Sequence, residues 1–234
     1  LFLGDHFYPK GVKSASDPLW EETIEKPYLR KPCLGKSKVY PVLGNHDYKG
    51  SPQAQINRSA MSPNWFMPYR FYSLKFADKL KIIALDTVYT DFCFMKNMCV
   101  FDFMKYALAK KETKWTIMMG HYPLDSSSKK DKEHSGDTFS LKKIKEKSCH
   151  TSDAWLSGHA HHMEHKSIKG CMNEVFISGA GGSRIEGVDK SKTNEFSLSK
   201  NGFLEIEVKK ESMTFNFIGK DSKILYSYSK QKKD

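Results

Sequence analysis

Residues suited to metal chemistry occur in four short segments, each placed at or directly after an apolar, strand-like stretch. The most informative is Gly-Asn-His-Asp at residues 44–47, which follows the apolar run from Val39 to Leu43. Carboxylate, phenol, amide and imidazole groups are the side chains from which proteins build hard and borderline metal sites. The sequence therefore predicts a two-metal hydrolase site formed by residues 1–8, 39–47, 117–123 and 155–162.

Asp5 is the candidate for a carboxylate shared by both ions. Its two oxygens can bridge cations about 3.5–4 Å apart, one of which activates water while the other polarises a phosphoryl oxygen. Tyr8 lies three residues further on, and its phenolate is a hard anionic ligand that favours trivalent iron. Taken singly, Asp5 fits a turn cap and Tyr8 a core tyrosine better, but the companion motifs favour metal binding.

The second group of candidate ligands is neutral. Asn45 offers an amide oxygen, and His121 and His159 offer imidazole nitrogens, a set suited to iron(II), zinc or manganese. His161 lies two residues after His159, so on an extended backbone both rings face the same side, toward opposite ions of a close pair. A lone histidine at the end of a strand is usually structural. Three in two Gly-His segments favour metal binding.

Three further polar residues are predicted to serve the site without binding metal. His46 directly follows a candidate ligand and is placed to hydrogen-bond phosphate oxygens or donate a proton, and Asp47 is expected to orient a ligand or a loop amide. His134, on a polar loop, is a candidate general acid toward the leaving alkoxide, with a solvated loop histidine as the equal alternative. The remaining histidines, assigned to the surface or the rim of the site, are His6, His150, His162 and His165.

The elements that must position these residues alternate between strands and helices. The spacing predicts a helix after the Asp17 N-cap, paired strands at 71–76 and 81–86, a helix at 100–108 and a buried strand at 115–119. Residues 203–208, 213–218 and 224–228 are predicted as half-buried antiparallel strands without site residues. This order favours an α/β sandwich of packed sheets, in one domain over residues 1–234, with ligands on loops at the carboxyl ends of strands.

The chain is strongly basic, with 38 lysine and arginine residues against 27 acidic residues and a net charge of +11. The basic residues are nearly all dispersed lysines, which we interpret as a solvated surface that attracts anionic, phosphorylated substrates. No nucleic-acid recognition module is present, so specific nucleic-acid binding is not expected. No apolar run of about 18 residues occurs, which predicts no transmembrane segment.

The five cysteines leave two interpretations open. Cys93 with Cys99, and Cys149 with Cys171, could each close a loop, or all five cysteines could be reduced. A glycosylation sequon begins at Asn57 and is relevant only in a secreted protein.

The four motifs together resemble the calcineurin-like metallophosphoesterases, and more narrowly the small purple, or tartrate-resistant, acid phosphatases. The resemblance rests on Gly-Asp-His-Phe-Tyr at 4–8, Gly-Asn-His-Asp at 44–47, Gly-His-Tyr-Pro at 120–123 and Ser-Gly-His-Ala-His at 157–161. It extends to Leu-Asp-Thr at 85–87, Ser-Gly-Ala-Gly at 178–181 and the closing strands. It covers almost the whole chain.

The resemblance implies a four-layer α/β/β/α sandwich of two mixed sheets and a binuclear centre of Fe(III) with Fe(II), Zn or Mn. It implies an acid phosphatase in which a metal-bound hydroxide hydrolyses small phosphomonoesters or phosphoproteins, in the secretory pathway, lysosome, vacuole or outside the cell. Asp5 resembles the bridging carboxylate, Tyr8 and His161 resemble ferric ligands, and Asn45, His121 and His159 resemble ligands of the divalent ion. His46 and His134 resemble the histidines that bind substrate and protonate the leaving group.

The chain departs from the family pattern in three places. The family has a further ferric ligand, an aspartate from an earlier Gly-Asp-Trp-Gly type segment, and this chain starts within the apolar stretch Leu1–Leu3. We therefore expect a truncated chain that lacks an N-terminal strand and helix. His6 replaces an asparagine and Ala160 replaces an aspartate, and neither position is a proposed ligand.

Two alternatives to a phosphatase remain open. A catalytically inactive scaffold or membrane-complex subunit would be marked by degenerate ligands, which these segments do not show. A phosphodiesterase or nuclease would suit the lysine-rich surface, but Tyr8 argues against it.

Overall fold

The computed structural model describes residues 1–89, 99–109, 112–130 and 139–232. Its larger sheet has seven strands in the order β1-β2-β3-β4-β6-β5-β7. The central strands β2, β3, β4 and β6 are parallel, β1 and β5 run against their neighbours, and β7 pairs antiparallel with β5. The strands are β1 Tyr72–Phe76, β2 Leu80–Ala84, β3 Trp115–Met119, β4 Ala154–Ser157, β5 Met163–Ser167, β6 Glu174–Ser178 and β7 Phe196–Leu198.

A second sheet contains the closing strands β8 Gly202–Val208, β9 Ser212–Gly219 and β10 Ile224–Gln231, in the order β10-β9-β8. Its burial alternates along β9, as expected for strands with one face on the core. The predicted α/β class with two packed sheets is confirmed. The second sheet differs from the expected mixed sheet, because all of its described pairings are antiparallel; consecutive strands joined by short turns pair in this way.

The α-helices among the described residues are α1 Pro52–Arg58, α2 Val100–Ala109 and α3 Phe139–Cys149. The helix expected after Asp17 begins at Leu19, and the Asp17 carboxylate accepts the Leu19 N–H at 3.0 Å. It continues as a π-helix at Glu21–Leu29, with Pro27 inside it. Proline supplies no N–H for the i−4 carbonyl, so a regular α-helix is disfavoured there.

Packing on both faces of the larger sheet fixes β3 and its neighbours. Trp115, Ile117 and Met119 belong to the core shared with the second sheet, whereas Met118 belongs to the core under α2 and α3. A parallel sheet covered on both faces requires apolar residues at successive positions, which the sequence of β3 supplies. This double burial makes the carboxyl end of β3 a firm support for the loop that begins at Gly120.

No helix in the described part of the chain is both long and apolar enough to cross a membrane. Cys149, at the end of α3, is disulfide-bonded to Cys171, as one interpretation of the sequence predicted. Cys33 is an exposed free thiol. Cys93 lies outside the described residues, so its pairing with Cys99 stays a prediction, as does the single domain.

Candidate metal centre

Two pairs of neighbouring chain segments bring the four motifs to one edge of the fold. β3 and β4 are parallel neighbours, so His121 and His159, which follow them, lie at the same end of the sheet. Phe2 bridges Pro41 in parallel fashion, and the two segments therefore deliver Asp5 and Asn45 side by side. Four separate loops converge because parallel pairing aligns their carboxyl ends.

The inner donor set consists of Asn45, His121 and His159. His121 Nε2 lies 3.1 Å from Asn45 Oδ1 and 3.1 Å from His159 Nδ1. Ligand atoms about 2.1 Å from one ion lie about 3.0–3.4 Å apart in octahedral or tetrahedral arrangements. The fully buried His121 ring is oriented through Nδ1, which donates to the Leu3 carbonyl at 2.8 Å. Its Nε2 therefore faces the other two ligand atoms.

The outer donor set consists of Tyr8 and His161. The Tyr8 hydroxyl lies 3.3 Å from His161 Nε2. His161 Nδ1 lies 2.9 Å from the Arg184 carbonyl oxygen, which directs the opposite nitrogen toward Tyr8. Tyr8 is 42% exposed, so this set is more open to solvent than the inner one.

Asp5 lies between the two donor sets. Its Oδ2 is 3.5 Å from His121 Nε2 and accepts from the Tyr8 hydroxyl at 3.1 Å, while Oδ1 accepts the His46 N–H at 2.7 Å. The possible ligand atoms of Asp5, His121 and His159 all lie within 4.8 Å of one another. One carboxylate in contact with both sets is the arrangement that a bridging ligand requires.

The electrostatics of this grouping favour a positive charge among the ligand atoms. Burial opposes ionisation of Asp5, but the hydrogen bond and charge of His121 outweigh it and hold the pKa of the carboxyl below its usual range. Burial likewise opposes protonation of His121, yet Asp5 raises the pKa of its imidazole. Burial and the charge of Asp5 raise the pKa of Tyr8. A cation placed here would reverse that effect on the phenol.

The backbone around Asp5 and His159 is unusual for residues other than glycine. Their φ angles are +56° and +60°, in the left-handed region that few L-residues adopt. Gly44 permits the approach of the Asp5 loop, because a Cβ at Gly44 would lie 2.2 Å from Asp5 Oδ1. The ligand loops are thus held in conformations that surrounding contacts must impose.

The buried carboxylate of Asp47 provides much of that constraint. Its Oδ2 accepts the N–H groups of Asp5 and Gly44, each at 2.8 Å. Its Oδ1 accepts the His6 N–H at 3.2 Å and the side-chain amide of Gln55 at 2.9 Å. Asp47 therefore joins the first two ligand segments, in line with the expectation that it orients a loop amide.

His46 flanks the centre. Its Nδ1 lies 2.8 Å from the Pro9 carbonyl oxygen and its ring centre 4.4 Å from that of Tyr8. Lys49 Nζ lies 3.5 Å from both ring nitrogens. His134 lies outside the described residues, so its acid role stays a prediction.

Three histidines assigned to the surface or rim are instead buried, which corrects that expectation. His6 Nδ1 lies 3.4 Å from Asp47 Oδ2, His162 Nε2 lies 2.9 Å from Glu164 Oε2, and His165 Nε2 lies 3.0 Å from Glu174 Oε2. Each has an acidic partner, which explains how a polar ring is accommodated in the interior. Only His150 is exposed, as expected.

Sequence reasoning also missed Glu164 and Glu186, two carboxylates near the outer donor set. Both are buried, and each contacts the turn that carries His161. No motif contains them, because they lie on β5 and on a later loop. The sequence around an isolated glutamate does not indicate which residue it contacts in the fold.

Residues 1–163 match the family model described as calcineurin-like phosphoesterase. The chain is 26% identical over its whole length to purple acid phosphatase 3 of Arabidopsis thaliana, of which 69% is covered. It is 29% identical to tartrate-resistant acid phosphatase type 5 of Sus scrofa, over 97% of this chain and 73% of that protein. These relatives and the family model match the resemblance inferred from the motifs.

Two solved structures share the fold. One, described as "GAP50 the anchor in the inner membrane complex of Plasmodium", has a TM-score of 0.75 at 22% identity, over 99% of this chain and 78% of that chain. The other, a purple acid phosphatase from yellow lupin seeds, has a TM-score of 0.60 at 16% identity, over 82% and 40%. At these identities the likeness establishes the fold alone.

Proposed function

The chain belongs to the calcineurin-like phosphoesterase family, and we propose that it is an acid phosphatase that hydrolyses phosphate monoesters at a binuclear metal centre. Relatives at 26–29% identity are named purple or tartrate-resistant acid phosphatases. The family and these relatives imply a binuclear centre. The activity, the metals and the role of each residue are part of the proposal.

The observation that carries the proposal is the position of Asp5. Its Oδ2 contacts His121 Nε2 of the inner donor set at 3.5 Å and the Tyr8 hydroxyl of the outer donor set at 3.1 Å. This carboxylate therefore lies against candidate ligands of both sets, which is the position that a ligand shared by two cations would need.

The donor set fits two different cations. Asn45, His121 and His159 would hold a divalent ion such as Fe(II), Zn or Mn, and Tyr8 and His161 would hold Fe(III), with Asp5 shared. A bound pair of this kind supplies Lewis acidity toward a phosphoryl oxygen and a water nucleophile at low pH.

Residues beside the centre supply the remaining functions. His46 and Lys49 are adjacent, with 3.5 Å between Lys49 Nζ and the imidazole, and would orient phosphate oxygens of the substrate by hydrogen bonds and charge. The net charge of +11 favours the approach of small phosphomonoesters or phosphoproteins. His134 is proposed to protonate the leaving alkoxide.

We place this activity in the secretory pathway, in a lysosome or vacuole, or outside the cell. The Cys149–Cys171 disulfide supports an oxidising compartment. Asn57 of the glycosylation sequon is exposed in the last turn of α1, where a glycan would be accessible.

A second candidate is a non-catalytic anchoring protein. It is favoured by the likeness in fold to the Plasmodium GAP50 structure, which extends over 99% of this chain. Retention of all six candidate ligands favours catalysis instead, because an anchoring role would place no constraint on them.

The two candidates are distinguished by turnover of the metal-loaded protein. Protein purified without metal and then loaded with iron and manganese is expected to hydrolyse an aryl phosphate monoester at acidic pH, and the chelated protein is not. Asp221→Asn, a change at a half-exposed surface carboxylate, serves as the matched control with full activity. Folded, metal-loaded protein without turnover would overturn the phosphatase proposal in favour of the anchoring one.

A further inference from the structure

We propose that Glu164 and Glu186 are positioning residues that hold His161 of the outer donor set in place by joining residues 161–162 to the serine run at residues 126–128. The inference rests on the proposed function, since it assumes that His161 binds a cation. It assigns roles to two buried carboxylates that no motif marks.

Glu186 fixes the backbone of His161. The Glu186 N–H donates to the His161 carbonyl at 3.0 Å, and Glu186 Oε2 accepts the His161 N–H at 3.4 Å. The nearby Arg184 carbonyl oxygen lies 2.9 Å from His161 Nδ1. One short segment thus sets both the position of the His161 backbone and the direction of its ring.

The same carboxylate also reaches the serine run. Glu186 Oε2 accepts the Ser128 hydroxyl at 3.2 Å, and Oε1 lies 3.3 Å from Nζ of the exposed Lys130. Glu186 is 8% exposed. A carboxylate so buried must be compensated by such partners, so its position is strongly constrained.

Glu164 makes an equivalent connection between the neighbouring residues His162 and Ser127 of the two segments. It is fully buried on β5, and its Oε2 lies 2.9 Å from His162 Nε2 and accepts the Ser127 N–H at 2.9 Å. Glu164 Oε1, His162 Nδ1 and Ser127 Oγ have no hydrogen-bond partner among the described residues. Three such groups in one small region are the setting in which a buried water would complete the network.

Backbone pairing reinforces these side-chain contacts. Ser128 bridges Val188, the Lys129 N–H donates to the Gly187 carbonyl at 3.0 Å, and the Asp189 N–H donates to the Ser127 carbonyl at 2.7 Å. The serine run and the segment after Glu186 therefore form a short antiparallel pair beside His161. Loosening one segment is expected to displace the other.

The chemistry predicts a selective effect. Partners that orient a metal-binding histidine typically contribute about 10- to 100-fold in metal affinity. Loss of the Glu186 carboxylate should weaken binding at the outer donor set by that factor. In the inner donor set, the His121 ring is oriented by Leu3 and the Asn45 loop is held by Asp47, so binding of its ion should change less.

The experiment loads wild type, Glu186→Ala, Glu186→Gln and Glu164→Gln with iron(III) and manganese, and measures the binding of each ion by titration calorimetry and native mass spectrometry. Glu205→Ala, at an exposed position of β8, is the matched control. Glu186→Ala should reduce two bound ions to one at metal concentrations that saturate wild type. Glu186→Gln should recover part of the affinity, because its amide oxygen can still accept the His161 N–H. Glu164→Gln should weaken the binding of the same ion.

The outcomes separate the inference from the proposed function. The positioning role is wrong if folded Glu186→Ala binds both ions as tightly as wild type does. It is also wrong if the binding of both ions is weakened equally, in proportion to a loss of thermal stability. In either case the proposed metal centre is unaffected. If wild type itself binds no second ion, the proposed function and this inference fail together. Selective loss of one ion, with partial rescue by glutamine, supports the positioning role.

Discussion

The inner and outer donor sets differ in how firmly the chain holds them. In the inner set the His121 ring is fully buried at the end of a doubly covered strand, and its Nδ1 is bound to a backbone carbonyl. In the outer set Tyr8 is 42% exposed, and His161 depends on the segment around Glu186. One half of the centre is thus fixed by the core and the other by loop contacts, with Asp5 common to both.

Because of this difference, substitutions in the two halves of the centre should differ in their effect. A change in the core-supported half alters ligands that cannot relax, whereas a change in the exposed half leaves room for solvent to replace a lost ligand. Substitution of the shared Asp5 should therefore affect metal binding most, and substitutions in the exposed outer half should affect it less.

The largest effect is expected from Asp5→Asn. Asparagine matches the shape of aspartate, tolerates the positive φ of this position and can still accept the His46 N–H, but it removes the negative charge shared by both sets. We expect kcat/KM for an aryl phosphate to fall by about 10³-fold. The metal-free protein should lose part of its thermal stability at neutral pH, because the interaction of ionised Asp5 with His121 is removed, whereas Asp221→Asn, the control, should not. Retention of two tightly bound ions would contradict a bridging role.

Gly44→Ala should have the next largest effect, through geometry instead of charge. The new methyl would lie 2.2 Å from Asp5 Oδ1 and 2.3 Å from Asp5 N, so the Asp5 loop must move. We expect a loss of about 1–3 kcal/mol in the free energy of unfolding, measured with urea, and weakened binding of both ions. Gly181→Ala is the matched control, because nothing lies within 4 Å of a Cβ there. Equal behaviour of the two variants would show that the Asp5 loop is not tightly packed.

Tyr8→Phe addresses the outer set alone. The ring is 42% exposed and only the hydroxyl is lost, so the fold should be intact and the inner ion should bind as in wild type. The iron-loaded protein should lose its visible absorption, which a tyrosinate–ferric pair would produce, and the outer ion should bind at least about 10-fold more weakly. Absorbance and metal titration check both expectations. Unchanged colour would exclude Tyr8 as a ligand.

The smallest effect is expected far from both sets, at Glu174. Burial opposes its ionisation, but hydrogen bonds from His165, Ser167 and Tyr228 outweigh it and lower its pKa. A carboxyl with a lowered folded-state pKa stabilises the protein above its unfolded-state value of about 4.3, and this contribution is lost as the pH falls through the folded-state value. Glu174→Gln should cost about 1 kcal/mol at neutral pH and less in acid.

Urea unfolding at several pH values checks this last expectation. The difference between wild type and Glu174→Gln should shrink as the pH falls, while metal binding stays the same in both. A difference that is constant with pH would show that the ionised carboxylate is not the stabilising form.

The sequence predicted the candidate ligands because each stands in a short motif beside a strand whose apolar pattern is unambiguous. His121 after β3 and His159 after β4 illustrate this, since their neighbouring strands need only be parallel for the loops to meet. Asp47 could also be anticipated, because it is part of the same tetrapeptide as Asn45. The half-buried antiparallel strands at the end of the chain were equally evident from their alternation.

Other features depend on tertiary contacts that no local pattern records. The π-helix at Glu21–Leu29 requires knowledge of how Pro27 disturbs the hydrogen bonds of a helix that still packs Ile24. The burial of His162 and His165 depends on glutamates brought near by the pairing of β5 with β6 and by the adjacent turn. Glu186 approaches His161 only because two loops fold together.

Anomalous diffraction from crystals grown with iron and manganese is the most direct test of whether six side chains hold a pair of cations around Asp5. Two peaks are expected about 3.5–4 Å apart, on opposite sides of the Asp5 carboxylate, one near His121 and His159 and the other near Tyr8 and His161. A single peak, or peaks away from these residues in fully metal-loaded crystals, would contradict the shared centre.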